Sequence, residues 1–169
     1  MATRPWVVNV AVLRRNLGNR RREQLQGSLD DAQTTASALS QDSEVEADLT
    51  FEALNPESVI ATGTITAPWK GTCRRCLGDA NGAFSVEVRE LFEEDSDGEE
   101  TYLLKGDQVD VEPMVRDAVL LHLPPAPLCR EDCRGLCATC GANLNEAGDD
   151  HDHPEDRDPR WAALDQLKD

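Results

Sequence analysis

The chain has 169 residues, 33 acidic against 17 basic side chains, a formal net charge of −16, and only three Trp, one Tyr and three Phe. That length supports one core, packed mainly by Val, Leu and Ala. The acidic surplus excludes a generic nucleic-acid-binding surface over most of the molecule, and no apolar run reaches the roughly 18 residues of a membrane-spanning helix.

The charge is unevenly placed. Residues 1–30 hold six arginines against Glu23 and Asp30, whereas residues 31–169 hold 11 basic and 31 acidic side chains. The first apolar run, WVVNVAVL at 6–13, is short, interrupted by Asn9 and flanked by arginines on both sides. It makes a poor secretory signal, so the expected location is the cytoplasm, and the run itself is expected to be a strand. NLGNRRREQ then predicts a turn and a basic segment carrying Arg20, Arg21 and Arg22.

From Glu44 the pattern sharpens. Val45, Ala47, Leu49, Phe51 and Ala53 alternate with polar residues, which predicts a strand with one buried face. Asn55-Pro56 breaks it, and a second alternating stretch runs from Val59 to Trp69. After GTCRRCLGDANG (71–82), Phe84, Val86 and Val88 resume the alternation, so Cys73 and Cys76 fall at a strand-to-strand connection. EEDSDGEE (93–100) reads as a solvated loop, since its spacing does not fit a twelve-residue calcium loop. EPMVRDAVLLHLPP (112–125) predicts a helix with Pro113 in its first turn, stopped by Pro124-Pro125, and with His122 at a core-like spacing. DPRWAALDQLKD predicts a terminal helix capped by Asp158. The fold class expected from these elements is α+β: an antiparallel β-rich body with one or two helices and a zinc-stapled C-terminal segment. The body takes residues 1–125 and the stapled segment 126–169, integrated in one domain.

Six cysteines carry the chemical signal. Cys73-x-x-Cys76 and Cys137-x-x-Cys140 have knuckle spacing, Cys129 and Cys133 form a looser pair, and His151 and His153 follow in an acidic loop. Thiolates and imidazoles at this density point to tetrahedral Zn²⁺, with four N/S ligands per structural site. Eight ligands suffice for two closed sites. One joins Cys73 and Cys76 to Cys129 and Cys133; the other joins Cys137 and Cys140 to His151 and His153. A competing arrangement unites the two C-x-x-C knuckles and leaves Cys129 and Cys133 with the histidines. Thiol-redox chemistry fits less well, because a redox C-x-x-C opens a helix in a βαβ context, whereas Cys73 and Cys76 lie between strands. Arg74, Arg75, Arg130 and Arg134 surround the proposed ligands. They either offset the negative charge of a four-thiolate site or join Arg14, Arg15, Arg20, Arg21 and Arg22 in a phosphate-binding face.

The ordered set TCRRCL, YLLKGD, DVEPMVRDAVLLHLP, PLCREDCRGLCATCGANLN and DPRWAAL resembles the YceD family of bacterial and plastid large ribosomal RNA subunit accumulation proteins. The resemblance runs over nearly the whole chain, and the basic N-terminal portion is similar to actinobacterial-type members. Many relatives carry C-x-C where this chain has His151-Asp152-His153, in keeping with imidazoles replacing thiolates. The resemblance implies a role in accumulation and processing of large-subunit (23S) ribosomal RNA, with a large-subunit ribosomal precursor as partner. It also implies a gene lying beside that of a small zinc-ribbon ribosomal protein.

Three function classes follow. The first is a non-enzymatic assembly factor whose acidic body shields a basic ribosomal protein while arginines near the zinc touch RNA. The second is a zinc-handling protein, or acidic chaperone, for the neighbouring zinc-ribbon protein. The third is a nuclease or thiol oxidoreductase. For this last class the sequence offers no acid–base pair or Gly-rich phosphate loop, and eight closed ligands leave no open metal position. No small-molecule substrate is expected.

Overall fold

The computed structural model describes residues 5–40, 44–148 and 150–153. Among these residues eight strands and two helices follow in the order β1 (Val7–Asn9), α1 (Ala11–Arg15), β2 (Arg20–Gly27), β3 (Ser37–Leu39), β4 (Val45–Asn55), β5 (Ser58–Thr72), β6 (Asp79–Glu93), β7 (Tyr102–Lys105), β8 (Gln108–Asp110) and α2 (Glu112–His122). The strands form a curled sheet in the order β1-β8-β7-β6-β5-β4-β2. The short strand β3 pairs with β5 beyond the end of β4.

The two long alternating stretches form the centre of this sheet. Val45, Ala47, Leu49, Phe51 and Ala53 of β4 are buried, as are Val59, Ala61, Ile65 and Ala67 of β5, while Thr62, Thr64 and Thr66 face the other way. At Gly63 the strands approach so closely that a Cβ would lie 2.0 Å from the Asp48 carbonyl oxygen. Only glycine permits that crossing. Helix α2 lays Met114, Val115, Ala118 and Val119 on the core, with Pro113 in its first turn and Leu123 as its C-cap.

Four expectations are corrected. Residues 6–13 are not one strand: the Asn9 Oδ1 accepts the Ala11 N–H at 3.0 Å and the chain turns into α1. That local Asn-to-backbone bond offers an alternative to the ladder. The expected turn at Leu17 and Gly18 leads not into an irregular basic segment but into strand β2, zipped to β4 from Arg20↔Glu52 to Gly27↔Val45. Its only large apolar side chain is Leu25, so period two leaves no trace in composition. The sheet is not wholly antiparallel, because β6 and β7 run parallel at Phe92↔Tyr102 and Glu93↔Leu103, where the two rings pack at 5.4 Å. His122 is exposed rather than in the core: its Nδ1 meets the Ala118 carbonyl at 2.9 Å and its ring stacks on Phe84. The terminal helix expected at the DPRWAAL stretch lies outside the described residues.

Beyond the main core, Cys73, Ala80 and Cys133 form a second buried cluster with Trp69, Cys76 and Leu128 packed against it. Among the described residues no helix is long and apolar enough to cross a membrane.

Candidate metal centres

Strands β5 and β6 are 15 residues each, and the loop between them holds the first cysteine pair. The Cys73 N–H donates to the Gly78 carbonyl at 2.8 Å and the Leu77 N–H to the Cys73 carbonyl at 2.9 Å. The second knuckle repeats this pattern: Cys137 N–H to Ala142 at 2.8 Å, and Gly141 N–H to Cys137 at 2.9 Å. Each turn needs a left-handed residue after its second cysteine, supplied by Leu77 at φ 60° and Gly141 at φ 74°. This winding aims backbone amides at the sulfurs.

The segment following α2 is hydrogen-bonded onto the first knuckle. The Arg74 N–H donates to the Pro127 carbonyl at 2.9 Å, and the Leu136 N–H to the Arg75 carbonyl at 3.1 Å. The Arg75 guanidinium donates to the carbonyls of Glu131 and Cys133 at 3.1 and 3.0 Å. Gly135, at φ 79°, lets the backbone pass Arg75, whose carbonyl oxygen would lie 3.1 Å from an added Cβ.

These contacts gather the sulfurs of Cys73, Cys76, Cys129 and Cys133 within 4.8 Å of one another. Cys73 and Cys133 are 3.8 Å apart at Sγ, and Cys76 and Cys129 are 3.6 Å apart. A disulfide needs about 2.05 Å, whereas thiolates around a tetrahedral ion with bonds of about 2.3 Å sit about 3.8 Å apart. All six cysteines are free. The Cys76 amide, followed by those of Cys129 and Arg75, holds Cys73 down to about 6. Cys133 is also lowered, first by the Asn145 side chain and then by the Gly135 amide. Cys129 is pushed up to about 12, first by its hydrogen bond with Cys133 and then by burial. Four thiols this close cannot all ionise unaided, and a bound cation removes that conflict.

The second group places Cys137, Cys140, His151 and His153 within the same 4.8 Å limit. Nε2 of His151 lies 3.4 Å from the Cys140 Sγ and 3.1 Å from the His153 Nε2, with the two rings edge to face at 82°. Both imidazoles therefore turn the same nitrogen towards one point. Cys137 is held down to about 6, first by the Cys140 amide and then by the His151 side chain and the Thr139 amide. The two groups are those paired by spacing. The alternative that unites the two knuckles is not the arrangement observed. The donor sets fit a tetrahedral ion in both.

Sequence reasoning missed Asn145. Its Nδ2 donates to the Cys133 Sγ at 3.3 Å, while its Oδ1 accepts the Arg134 N–H at 2.9 Å and the Arg130 guanidinium at 2.8 Å. Nothing in the run ANLN marks a ligand's neighbour, because the link closes only in three dimensions.

The arginines do not form one face. Arg20 donates to Glu52 at 2.7 Å, Arg22 to Asp48 at 2.6 Å, and Arg21 pairs with Glu23. Through the register, Arg20 lies level with Ile60 of β5, twelve residues before Thr72. At about 3.3 Å per residue that is about 40 Å along the strand from the first knuckle. Arg74 is exposed at the knuckle, and Arg75 is engaged with the carbonyls described above.

Residues 61–168 match the family described as Large ribosomal RNA subunit accumulation protein YceD. The chain belongs to the YceD family. The match includes all eight candidate ligands and excludes Arg20, Arg21 and Arg22. A Mycobacterium tuberculosis protein is 38% identical over 138 residues, covering 77% of this chain and 65% of its own length. A Mycobacterium leprae protein is 41% identical over 133 residues, covering 71% of this chain and 57% of its own. The chain thus spans less than two thirds of these mycobacterial relatives. The chloroplastic YCED homolog 1 of Arabidopsis thaliana, named as a large ribosomal RNA subunit accumulation protein, is 33% identical over 61 residues, 36% of this chain and 19% of its own. No solved structure gives a significant match.

Proposed function

We propose that this YceD protein is a non-enzymatic, zinc-binding factor of the cytoplasm that supports accumulation and processing of 23S rRNA during large-subunit biogenesis. Family membership over residues 61–168 carries that reading. Cys73, Cys76, Cys129 and Cys133 would hold one Zn²⁺, and Cys137, Cys140, His151 and His153 the other. Zinc with four protein ligands supplies cross-links and leaves no position for a reacting water, so its part is structural. The first centre ties the β5–β6 loop to the segment after α2, joining residues 1–125 and 126–169 into one unit.

The partner is a large-subunit precursor, met through RNA or through a basic ribosomal protein. Arg20, Arg21, Arg22, Arg74 and Arg75 are the candidates for contact, as two separate groups rather than one face. The ion pairs of Arg20, Arg21 and Arg22 with Glu52, Glu23 and Asp48 favour the protein contact, because they offset the N-terminal positive charge of a chain that holds 33 acidic against 17 basic side chains. In that form the chain acts as an acidic chaperone for a zinc-ribbon ribosomal protein, through the acids of 93–100.

Capture of tagged protein from growing cells tests the reading. Large-subunit precursors should co-purify, and depletion should lower 23S rRNA relative to 16S. Capture free of large-subunit components, with unchanged rRNA on depletion, overturns it. Nuclease treatment separates the two contacts: an RNA bridge is lost, and a protein contact survives.

A further inference from the structure

Asn145 belongs by chain position to the second centre, between Cys140 and His151, yet its side chain touches a ligand of the first. The amide's orientation is fixed by chemistry. The Arg134 N–H can only donate, so the atom it meets at 2.9 Å is Oδ1, and the Arg130 guanidinium meets the same oxygen at 2.8 Å. That leaves Nδ2 directed at the Cys133 Sγ, 3.3 Å away, and at the Asn143 Oδ1, 2.8 Å away. The turn is also held from behind: the Leu144 N–H donates to the Gly135 carbonyl at 2.9 Å, and Leu136 bridges to Asn143.

We propose that Asn145 is a positioning residue that couples the two metal centres, so that filling the Cys137–His153 centre tightens metal held by Cys73, Cys76, Cys129 and Cys133. The proposal rests on the two-zinc reading. Ligands on both sides of Asn145 close its loop around the second ion, which fixes the position from which Nδ2 donates to Cys133. That hydrogen bond fixes the direction of the ligating sulfur and shares its charge. Loss of the second ion frees the loop and weakens the donation. By linkage, the first ion favours retention of the second to the same degree. The half-buried, His-containing centre thereby reports its occupancy to the more deeply buried, four-sulfur centre that anchors the hairpin.

The test uses the full chain loaded with zinc. Total zinc is counted first, and release to a chromogenic chelator is then followed. Two ions per chain are expected, and His153→Ala should remove one of them. It should also speed release from the first centre about 10-fold, the lower end of the usual outer-shell effect on affinity. Asn145→Asp keeps the oxygen that accepts from Arg134 and Arg130 but loses the donor. It should speed release from the first centre by a similar factor with the second centre still loaded, and adding His153→Ala should cause no further change there. In cobalt-substituted protein, the sulfur-to-metal charge-transfer band of the first centre should shift on Asn145→Asp and on His153→Ala alike, a signature that loss of packing alone would not give.

An unchanged first-centre release rate in His153→Ala overturns the coupling, and that variant needs no change at Asn145. Equal acceleration by His153→Ala with and without Asn145→Asp removes Asn145 as its carrier. Fewer than two ions in the unmodified chain overturns the two-zinc reading, and the coupling with it.

Discussion

Leu77 holds the left-handed position of its knuckle, at φ 60°, where the second knuckle has Gly141 at φ 74°. An L-residue there costs about 1–2 kcal/mol, partly offset by the extra unfolded-state freedom that glycine would bring. Leu77 is 65% exposed, so its side chain contributes little packing in return. Leu77→Gly should therefore stabilise the zinc-loaded protein by about 0.5–1 kcal/mol in denaturant titration, and a loss of stability would show that the leucine packs in a way the fold does not reveal. Protonation gives a second prediction at this scale. Cys73 and Cys137 each fall from an ordinary 9.0 to about 6 in the folded chain. Depressed values contribute stability that is fully present above 9.0 and is lost as pH falls towards 6. Chelator-treated protein should accordingly melt at progressively lower temperature across that window, with thiolate ultraviolet absorbance falling in parallel. A flat profile would mean that the amides do not reach these sulfurs without metal.

At the scale of the element, strand β2 is held to β4 by backbone pairing along its whole length, with arginine–carboxylate pairs on its surface. Arg20 and Arg22 are 71% and 69% exposed at the side chain, so each ion pair is screened and weak. Reversing Arg20, Arg21 and Arg22 to glutamate places like charges beside Glu52, Glu23 and Asp48 along a paired strand. Melting temperature should fall modestly, and the fall should shrink as salt rises. Zinc content should stay the same, because the ligands lie about 40 Å along the sheet. If these arginines contact RNA, association with precursors weakens by more than the stability change explains. Unchanged association confines RNA contact to the knuckle arginines or leaves the protein contact standing.

For the whole molecule, the two-zinc reading gives the two candidate centres different mechanical work. The first joins the loop after β5 to Cys129 and Cys133, 53 and 60 residues away from Cys76 and Cys73. Structural zinc contributes about 10–16 kcal/mol in zinc-finger peptides, comparable to the entire stability of a domain. Cys76→Ser should lower the melting temperature strongly and raise hydrogen exchange at the tips of β5 and β6. His153→Ala should raise exchange chiefly over 137–153, apart from the weaker grip at Cys133 that coupling through Asn145 adds. Equally mild effects of both changes would defeat the idea that the first centre staples the fold.

The sequence by itself determined the central strands and the set of candidate ligands. Alternation at 45–53 and 59–69 records one-sided burial, and knuckle spacing records the reach of two sulfurs towards one ion. It also determined α2, whose proline-bounded pattern is local. Tertiary structure alone decided the rest. Strand β2 exists because β4 offers it a ladder, not because RRREQLQG alternates. The parallel β6–β7 join rests on a pairing ten residues apart that no alternation marks, while the separation of the arginines into two groups and the meeting of Cys73 and Cys76 with Cys129 and Cys133 depend on contacts far apart in the chain. Asn145 shows the reason most clearly: a side-chain amide joins a candidate metal centre only when folding brings its N–H to a sulfur twelve residues away.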